Sequence, residues 1–363
     1  MTDDLFASVP AARPAAPRSG AGRSGPVRVA LIGYGFAGKT FHAPLIQAAG
    51  GMELALVATS QPEVVRADLP GVRTAASLSE ALADPDIELV VLATPDAVHA
   101  EQATAALNAG KAVVVDKPFA RSHAEAKAVV DLAAARGLFL SVFQNRRWDA
   151  DFLALKREIE RGRLGRIVTV ESRFDRHRPV VRDRWREAPG AGVWLDLGPH
   201  LVDQIVTLFG RPRSITCRLE VQRDGGQSPD WAHAVLDYGA LQVVLNASMV
   251  VAAPEVRFAV HGTTASWLKA GLDVQEDQLK SGMAPGAPGW GVDPRSATWV
   301  DGETGARSAA PGPPGDYPAY YAAVAKALRG EGDNPVPPAQ ALTVMEILDA
   351  GAESARTGRT INL

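Results

Sequence analysis

Two short clusters in this chain hold residue types able to move a proton and steady the charge on an oxygen. The first is Asp116-Lys117-Pro118, which follows the apolar run at 112–115. A lysine just past the carboxyl end of a buried strand points into the crevice where open parallel sheets bind ligands. Its ammonium there can hydrogen-bond an oxygen and stabilise developing negative charge. Pro118 suits an unusual turn, including a cis one. The alternative is an ordinary surface lysine in a turn. The second cluster lies in GAGVWLDLGPHLVDQ, residues 190–204. Pro199 cannot continue a helix but suits the first position of a new one, which puts His200 in a first turn. Asp196, four residues earlier, is close enough to orient the imidazole. The positive helix end disfavours imidazolium and a nearby carboxylate favours it, which together poise a general base near neutral pH. The plainer alternative makes Asp196 an N-cap and His200 a packed core residue. No second His or Cys falls at ligand spacing near Asp196, His200 and Asp203, so no metal site is expected.

A third motif is a ligand cradle. GYGFAG supplies Gly33, Gly35 and Gly38 in G-x-G-x-x-G spacing, directly after the apolar run VRVALI at 27–32 and ahead of a helix-compatible segment. In that context the glycines permit a tight turn, a close backbone approach to a pyrophosphate, and close helix–strand packing. Phe36 and Ala37 complete the loop, and the helix start offers amide donors to phosphates. NAD and NADP are separated near the end of the second strand. The residues there are Ala58-Thr59-Ser60-Gln61, with no carboxylate for a ribose 2′-hydroxyl. Thr59 and Ser60 can donate to a 2′-phosphate and Arg66 is within reach, which favours NADP; Glu63 is the opposing sign, so NAD stays open. Thr94, Pro95, His99 and Asp116 fall on the cofactor side of the sheet. The remaining histidines (His42, His123, His177, His233 and His261) are assigned to structure or surface.

The elements that must position these groups follow from apolar patterning. Strands are expected at 27–32, 52–60, 72–75, 87–94 and 138–143, with strand then loop at 111–118, alternating with a short helix or loop at 62–68 and helices at 77–84, 97–110 and 122–137. Ser77 with Glu80 reads as a capping box. Strand–helix alternation argues for a doubly wound parallel sheet. The texture changes near residue 145. A helix at about 149–161 precedes strands at 166–176, 213–223, 231–238, 241–249 and 255–262, the last four with no helix between them, as in an antiparallel sheet. Residues 271–315, dense in Gly and Pro, are expected to be a long ordered loop over the sheet. Helices near 316–329 and 338–355 finish the chain. The fold class is therefore α/β: a Rossmann domain at 27–146 and an α+β domain at 147–363 with a large, mostly antiparallel sheet.

Composition removes other classes. With 363 residues and 46% hydrophobic residues, two packed domains are well supplied. A net charge of −3 offers no general attraction to nucleic acid or an anionic membrane. No apolar run approaches the ~20 residues needed to span a bilayer. Cys217 is the only cysteine, which excludes an intrachain disulfide and suggests a reducing, cytoplasmic setting. It is expected to be a buried small side chain. Residues 1–26, rich in Ala, Pro, Arg, Ser and Gly, are expected to be a disordered tail and lack the apolar centre of a secretory signal.

Taken together, GYGFAG, Asp116-Lys117-Pro118 and the Asp196/His200 pair resemble the glucose–fructose oxidoreductase and inositol dehydrogenase (Gfo/Idh/MocA) family, from Val27 to Leu363. Asp116 stands where the family usually has Glu. GYGFAGKTFHAPLI, NRRWDADFLALKREI, ESRFDRHRP and GLDVQEDQLKSGM are similar to the branch containing NADP-dependent scyllo-inositol dehydrogenases. Its NADP-binding members often carry Ser-Arg after the second strand, where this chain has Ser60-Gln61. The resemblance implies reversible oxidation of a ring secondary alcohol of an inositol or sugar, with His200 as base, Lys117 on the reacting oxygen and Asp196 orienting His200. Arg146, Asp175, Arg178 and Trp194 are candidate contacts to the substrate or the nicotinamide. It also implies dimers or tetramers built on the second sheet. Two rival readings remain: a glycosidase with a tightly held NAD, and a non-catalytic sensor on the same fold.

Overall fold

A computed structural model of the chain describes residues 25–253 and 256–363. The tail expected at 1–26 lies outside the described residues except for Gly25 and Pro26. The first sheet forms where the sequence turns apolar: β1 (Val27–Ile32), β2 (Met52–Ala58), β3 (Arg73–Ala75), β4 (Leu89–Leu92), β5 (Ala112–Val115) and β6 (Leu140–Val142). Its order is β3-β2-β1-β4-β5-β6, and every pairing is parallel. All residues of β4 and β5 are buried, as strands covered on both faces must be. The strand order reverses between β1 and β4, which opens the crevice beyond their carboxyl ends.

The connecting helices are α1 (Ala43–Ala48), α2 (Pro62–Asp68), α3 (Leu78–Ala83), α4 (His99–Asn108) and α5 (His123–Arg136). Ser77 caps α3 by accepting from the Glu80 amide, and Ser122 caps α5 from the Glu125 amide. Gly137, at φ 61°, ends α5 in the left-handed region. The phosphate-loop helix departs from the expected form: helical turns run from 36 to 48 but include a π turn at Gly38–His42.

The second part begins with α6 (Ala150–Glu160), β7 (Ile167–Asp175), α7 (Val193–Asp196) and α8 (Gly198–Phe209). β8 (Ser214–Glu220), β9 (Trp231–Asp237), β10 (Gln242–Ser248), β11 (Phe258–Gly262) and β12 (Ala265–Lys269) follow, then α9 (Gln275–Lys280), β13 (Ala297–Asp301) and β14 (Arg307–Ala310). The chain closes with α10 (Pro318–Arg329), α11 (Pro338–Thr357) and β15 (Ile361–Asn362). Nine strands form one sheet in the order β14-β13-β12-β11-β7-β10-β9-β8-β15. Only β7 and β10 pair in parallel. β9 alternates strictly between buried and half-buried residues, the mark of one covered face. α8 and α11 supply that cover.

The loop expected at 271–315 is a correction. That stretch contains α9, β13 and β14, and β12 precedes it. Glycine and proline between short elements masked a pattern that pairing with β12 makes regular. The segment after 147 also packs against the first sheet. Tyr320 on α10 hydrogen-bonds Ser141 on β6, Asn334 donates to the Leu140 carbonyl, and the His123 amide at the start of α5 donates to Asp349 on α11. Cys217 is buried, and burial pushes its thiol up to about 12, consistent with a packed side chain.

Candidate active site

The glycine loop is built as its spacing suggested. Gly33 has φ 94°, and a Cβ there would lie 2.7 Å from the Ala93 carbonyl oxygen. A Cβ on Gly38 would lie 2.2 Å from the Gly33 carbonyl oxygen. On Gly35 it would meet nothing within 4 Å. The loop is thus closed toward the sheet and open outward at Gly35, which fits a dinucleotide pyrophosphate held at the helix start. Thr94, at the end of β4, borders Gly33, and its hydroxyl donates to Gln102. Pro95 stands beside it, exposed. At the end of β2 the Thr59 hydroxyl accepts from the Gln61 amide and Ser60 is exposed. Arg66 is exposed on α2, its guanidinium 3.6 Å from Glu63. No carboxylate stands at 59–61.

Between the two sheets lies a cleft of about 500 Å³. Phe36 and Ala37 border it from the glycine loop, Asp116 and Lys117 from the end of β5, and Asp196 and His200 from α7 and α8. The Lys117–Pro118 peptide is cis. The Lys117 amide donates to its neighbour Asp116, whose carboxylate lies 3.7 Å from His42. Burial alone would raise the Asp116 carboxyl; the nearby His42 and Lys117 outweigh it and hold it below its ordinary range.

Lys117 Nζ donates to the Asp196 backbone oxygen at 2.9 Å and to its carboxylate at 3.2 Å. Arg186 approaches the same carboxylate at 3.4 Å. Burial works against the charged form of Asp196, but Lys117, Arg186 and Arg176 together bring its carboxyl down to about 2. This corrects one expectation. Asp196 orients Lys117 rather than His200, because two cations outcompete an imidazole for this half-buried carboxylate. Nor is Asp196 an N-cap: Leu197 holds that position, without a side-chain cap.

His200 does sit in the first turn of α8, buried beside the cleft. Its Nδ1 has no hydrogen-bond partner, and its ring stacks on Phe174 with centroids 6.1 Å apart. Burial first, then Lys117, Arg146, Arg176 and Arg257, hold its pKa well below the ordinary value instead of near neutrality. Burial and the surrounding cations thus both favour the uncharged imidazole.

The flanking expectations divide. Arg178 lines the cleft, and so does Arg146, which lies 4.7 Å over the Phe174 ring and pairs with Glu276 at 2.7 Å. Asp175 does not line it. Its carboxylate accepts from Asn246 on β10, and burial raises its pKa. Side chains alternate along β7, so Phe174, Arg176 and Arg178 share the cleft face while Asp175 falls on the other. Trp194 is also corrected: buried, it donates to the Leu348 carbonyl and packs against Gly198 and Gly351. The glycines around it make room for an indole in the core, not for a ligand. His99 is buried with Nδ1 2.8 Å from the Pro118 oxygen and Nε2 2.9 Å from the Thr94 oxygen. It ties two strand-end loops together and does not line the cleft.

Sequence reasoning missed the basic wall of the cleft, formed by Arg176, Arg182, Arg184 and Arg186, and Glu276 and Lys280 on α9. The alternating arginines of 173–186 were the available signal. Among the described residues no cluster of His, Cys, Asp and Glu could hold a metal ion, and no helix is long and apolar enough to cross a membrane.

Residues 27–144 match the GFO_IDH_MocA description "oxidoreductase family, NAD-binding Rossmann fold", and 156–363 match its C-terminal alpha/beta domain. The chain is 49% identical to an uncharacterized oxidoreductase of Escherichia coli, over 93% of this chain and 99% of the relative. It is 36% identical to the NADP+-linked scyllo-inositol 2-dehydrogenase of Bacillus subtilis, over 93% and 96%. A solved oxidoreductase from Bacillus cereus superposes with a TM-score of 0.84 at 30% identity, covering 93% of this chain and 98% of that one.

Proposed function

Because this chain belongs to the Gfo/Idh/MocA family of oxidoreductases, we propose that it moves hydride between a nicotinamide cofactor, NADP in preference to NAD, and a ring secondary alcohol of an inositol or sugar. The observation that carries this reading is the meeting of Lys117 and His200, whose Nδ1 has no hydrogen-bond partner, in one cleft bordered by the glycine loop. When bound, the nicotinamide supplies the hydride chemistry. His200 takes the hydroxyl proton, and its buried site keeps it free to do so at pH 7. Lys117 hydrogen-bonds the reacting oxygen and stabilises its growing negative charge. Asp196 holds the Lys117 ammonium in place.

Similarity to the Bacillus subtilis scyllo-inositol dehydrogenase and the lack of a carboxylate at 59–61 support a polyol and NADP. A half-open second sheet supports pairing of two or more copies across its outer face, and a lone buried cysteine supports a reducing, cytoplasmic setting. The test is a screen of inositols and aldoses with each cofactor, read at the reduced-nicotinamide absorbance. Net reduction of NADP by at least one polyol is expected. Glycoside cleavage without net cofactor reduction, or tight cofactor binding with no turnover on any alcohol, overturns the reading.

A further inference from the structure

The cleft is far more basic than the chain that forms it. Eight basic and three acidic side chains line it, in a protein of net charge −3. Most of these cations are answered from within. Glu276 serves Arg146, Arg176 and Lys280. Asp196 serves Lys117 and Arg186, and Glu187 serves Arg184. Arg178 and Arg182 are different. The polar contacts of both residues come from their backbones, through the Arg178 amide and carbonyl and the Arg182 amide. Neither guanidinium has a hydrogen bond or ion pair among the described residues. After partial burial, the strongest influences on Arg178 are Arg184 and Arg182, both repulsive.

The backbone holds this arrangement. Past β7 the chain stays extended, with the Arg176 and Arg178 amides bonded to the Ser248 and Met249 carbonyls. Alternation then turns Arg176 and Arg178 toward the cleft and leaves His177 exposed. Like charges brought together without an anion cost free energy that a bound anion returns. Guanidiniums match the oxygens of phosphate and carboxylate groups by parallel hydrogen bonds. The phosphate-binding turn at Gly33–Gly38 belongs to the other sheet and supplies its own amides.

Building on the reaction proposed above, we propose that the alcohol substrate carries an anionic substituent, a phosphate ester or a carboxylate, which Arg178 and Arg182 receive while Lys117 and His200 engage the hydroxyl. The substrate class is then an acidic or phosphorylated polyol or sugar.

The test uses full-length protein saturated with cofactor. Inorganic phosphate is titrated calorimetrically into wild type, Arg178→Gln and Arg182→Gln, and cofactor affinity and melting temperature are measured on the same samples. Inositol phosphates, hexose phosphates and hexuronates are then compared with their neutral parents. The expected result is phosphate binding that weakens roughly ten- to hundredfold in each variant, with cofactor affinity and melting temperature held. The anionic substrates should exceed their neutral parents by tenfold or more in kcat/KM, and that preference should collapse in both variants. Hexuronates preferred over phosphate esters would identify a carboxylate, and the reverse a phosphate. Phosphate binding equal in all three proteins, or variants that lose cofactor instead of phosphate, would overturn the assignment. Phosphate binding lost in the variants, in a protein that oxidises no alcohol, would sink the reaction and leave the anion site standing.

Discussion

Asp196 offers the most discriminating perturbation, because its position gives it a partner different from the one its spacing suggested. Its carboxyl is brought down to about 2 from 3.8 against the pull of burial, with Lys117 as the foremost cause. That shift is about two pH units, about 2–3 kcal/mol in favour of the carboxylate. The folded value lies below the unfolded one, so this stability is present above about pH 4 and fades as pH falls toward 2. Asp196→Asn should therefore cost about 2–3 kcal/mol at pH 7 and flatten the acid side of the stability curve. The same substitution takes the charged partner from the Lys117 ammonium and leaves it the backbone oxygen of residue 196. Its effect on turnover should then pass through Lys117. Lys117→Ala alone should lower kcat by ~10²–10³. Asp196→Asn alone should lower it by at most roughly 30- to 150-fold, the same 2–3 kcal/mol expressed as a ratio. The double variant should be scarcely slower than Lys117→Ala, giving a coupling energy of about 2 kcal/mol. Single-turnover rates on all four proteins, with melts to confirm folding, make the measurement. Losses that multiply, with coupling within about 0.5 kcal/mol of zero, would refute the reasoning and return Asp196 to His200.

Three further outcomes are expected. His200 is held well below its ordinary pKa by burial and surrounding cations, and a base stops working once protonated, so the acid limb of kcat/KM should lie below pH 6.5. In Lys117→Ala, which removes the foremost of those cations, the limb should move upward, and a limb that stays put counts against His200 as the base. Gly35→Ala should fold normally, since its Cβ meets nothing within 4 Å, yet weaken dinucleotide binding by intruding on the pyrophosphate; unchanged binding by calorimetry would mean the loop does not hold it. NADP should bind more tightly than NAD, and Arg66→Ala should narrow the gap; stronger NAD binding by the unmodified protein would overturn the 2′-phosphate argument.

Local chemistry made much of this protein legible in its sequence. Continuous apolar runs of Val, Leu and Ala have no other stable place than strands buried on both faces, so the first sheet followed from β1, β4 and β5 themselves. Gly33 and Gly38 were readable because only glycine tolerates their backbone angle or spacing. Lys117 and His200 were placed by strand-end and helix-start rules that operate within a few residues. What the sequence could not decide was partnership across long separations. Whether Asp196 faces His200, four residues away, or Lys117, 79 residues away, depends on which charges converge on it once the sheets meet. The cleft face of β7 was likewise settled by its pairing with β10 and β11, which turns Arg176 and Arg178 inward and sends Asp175 to Asn246. Trp194 needed the small residues of α8 and α11 to become a core residue. Burial and long-range charge depend on the whole fold, and they set both the proton affinity of the base and the sign of the cleft.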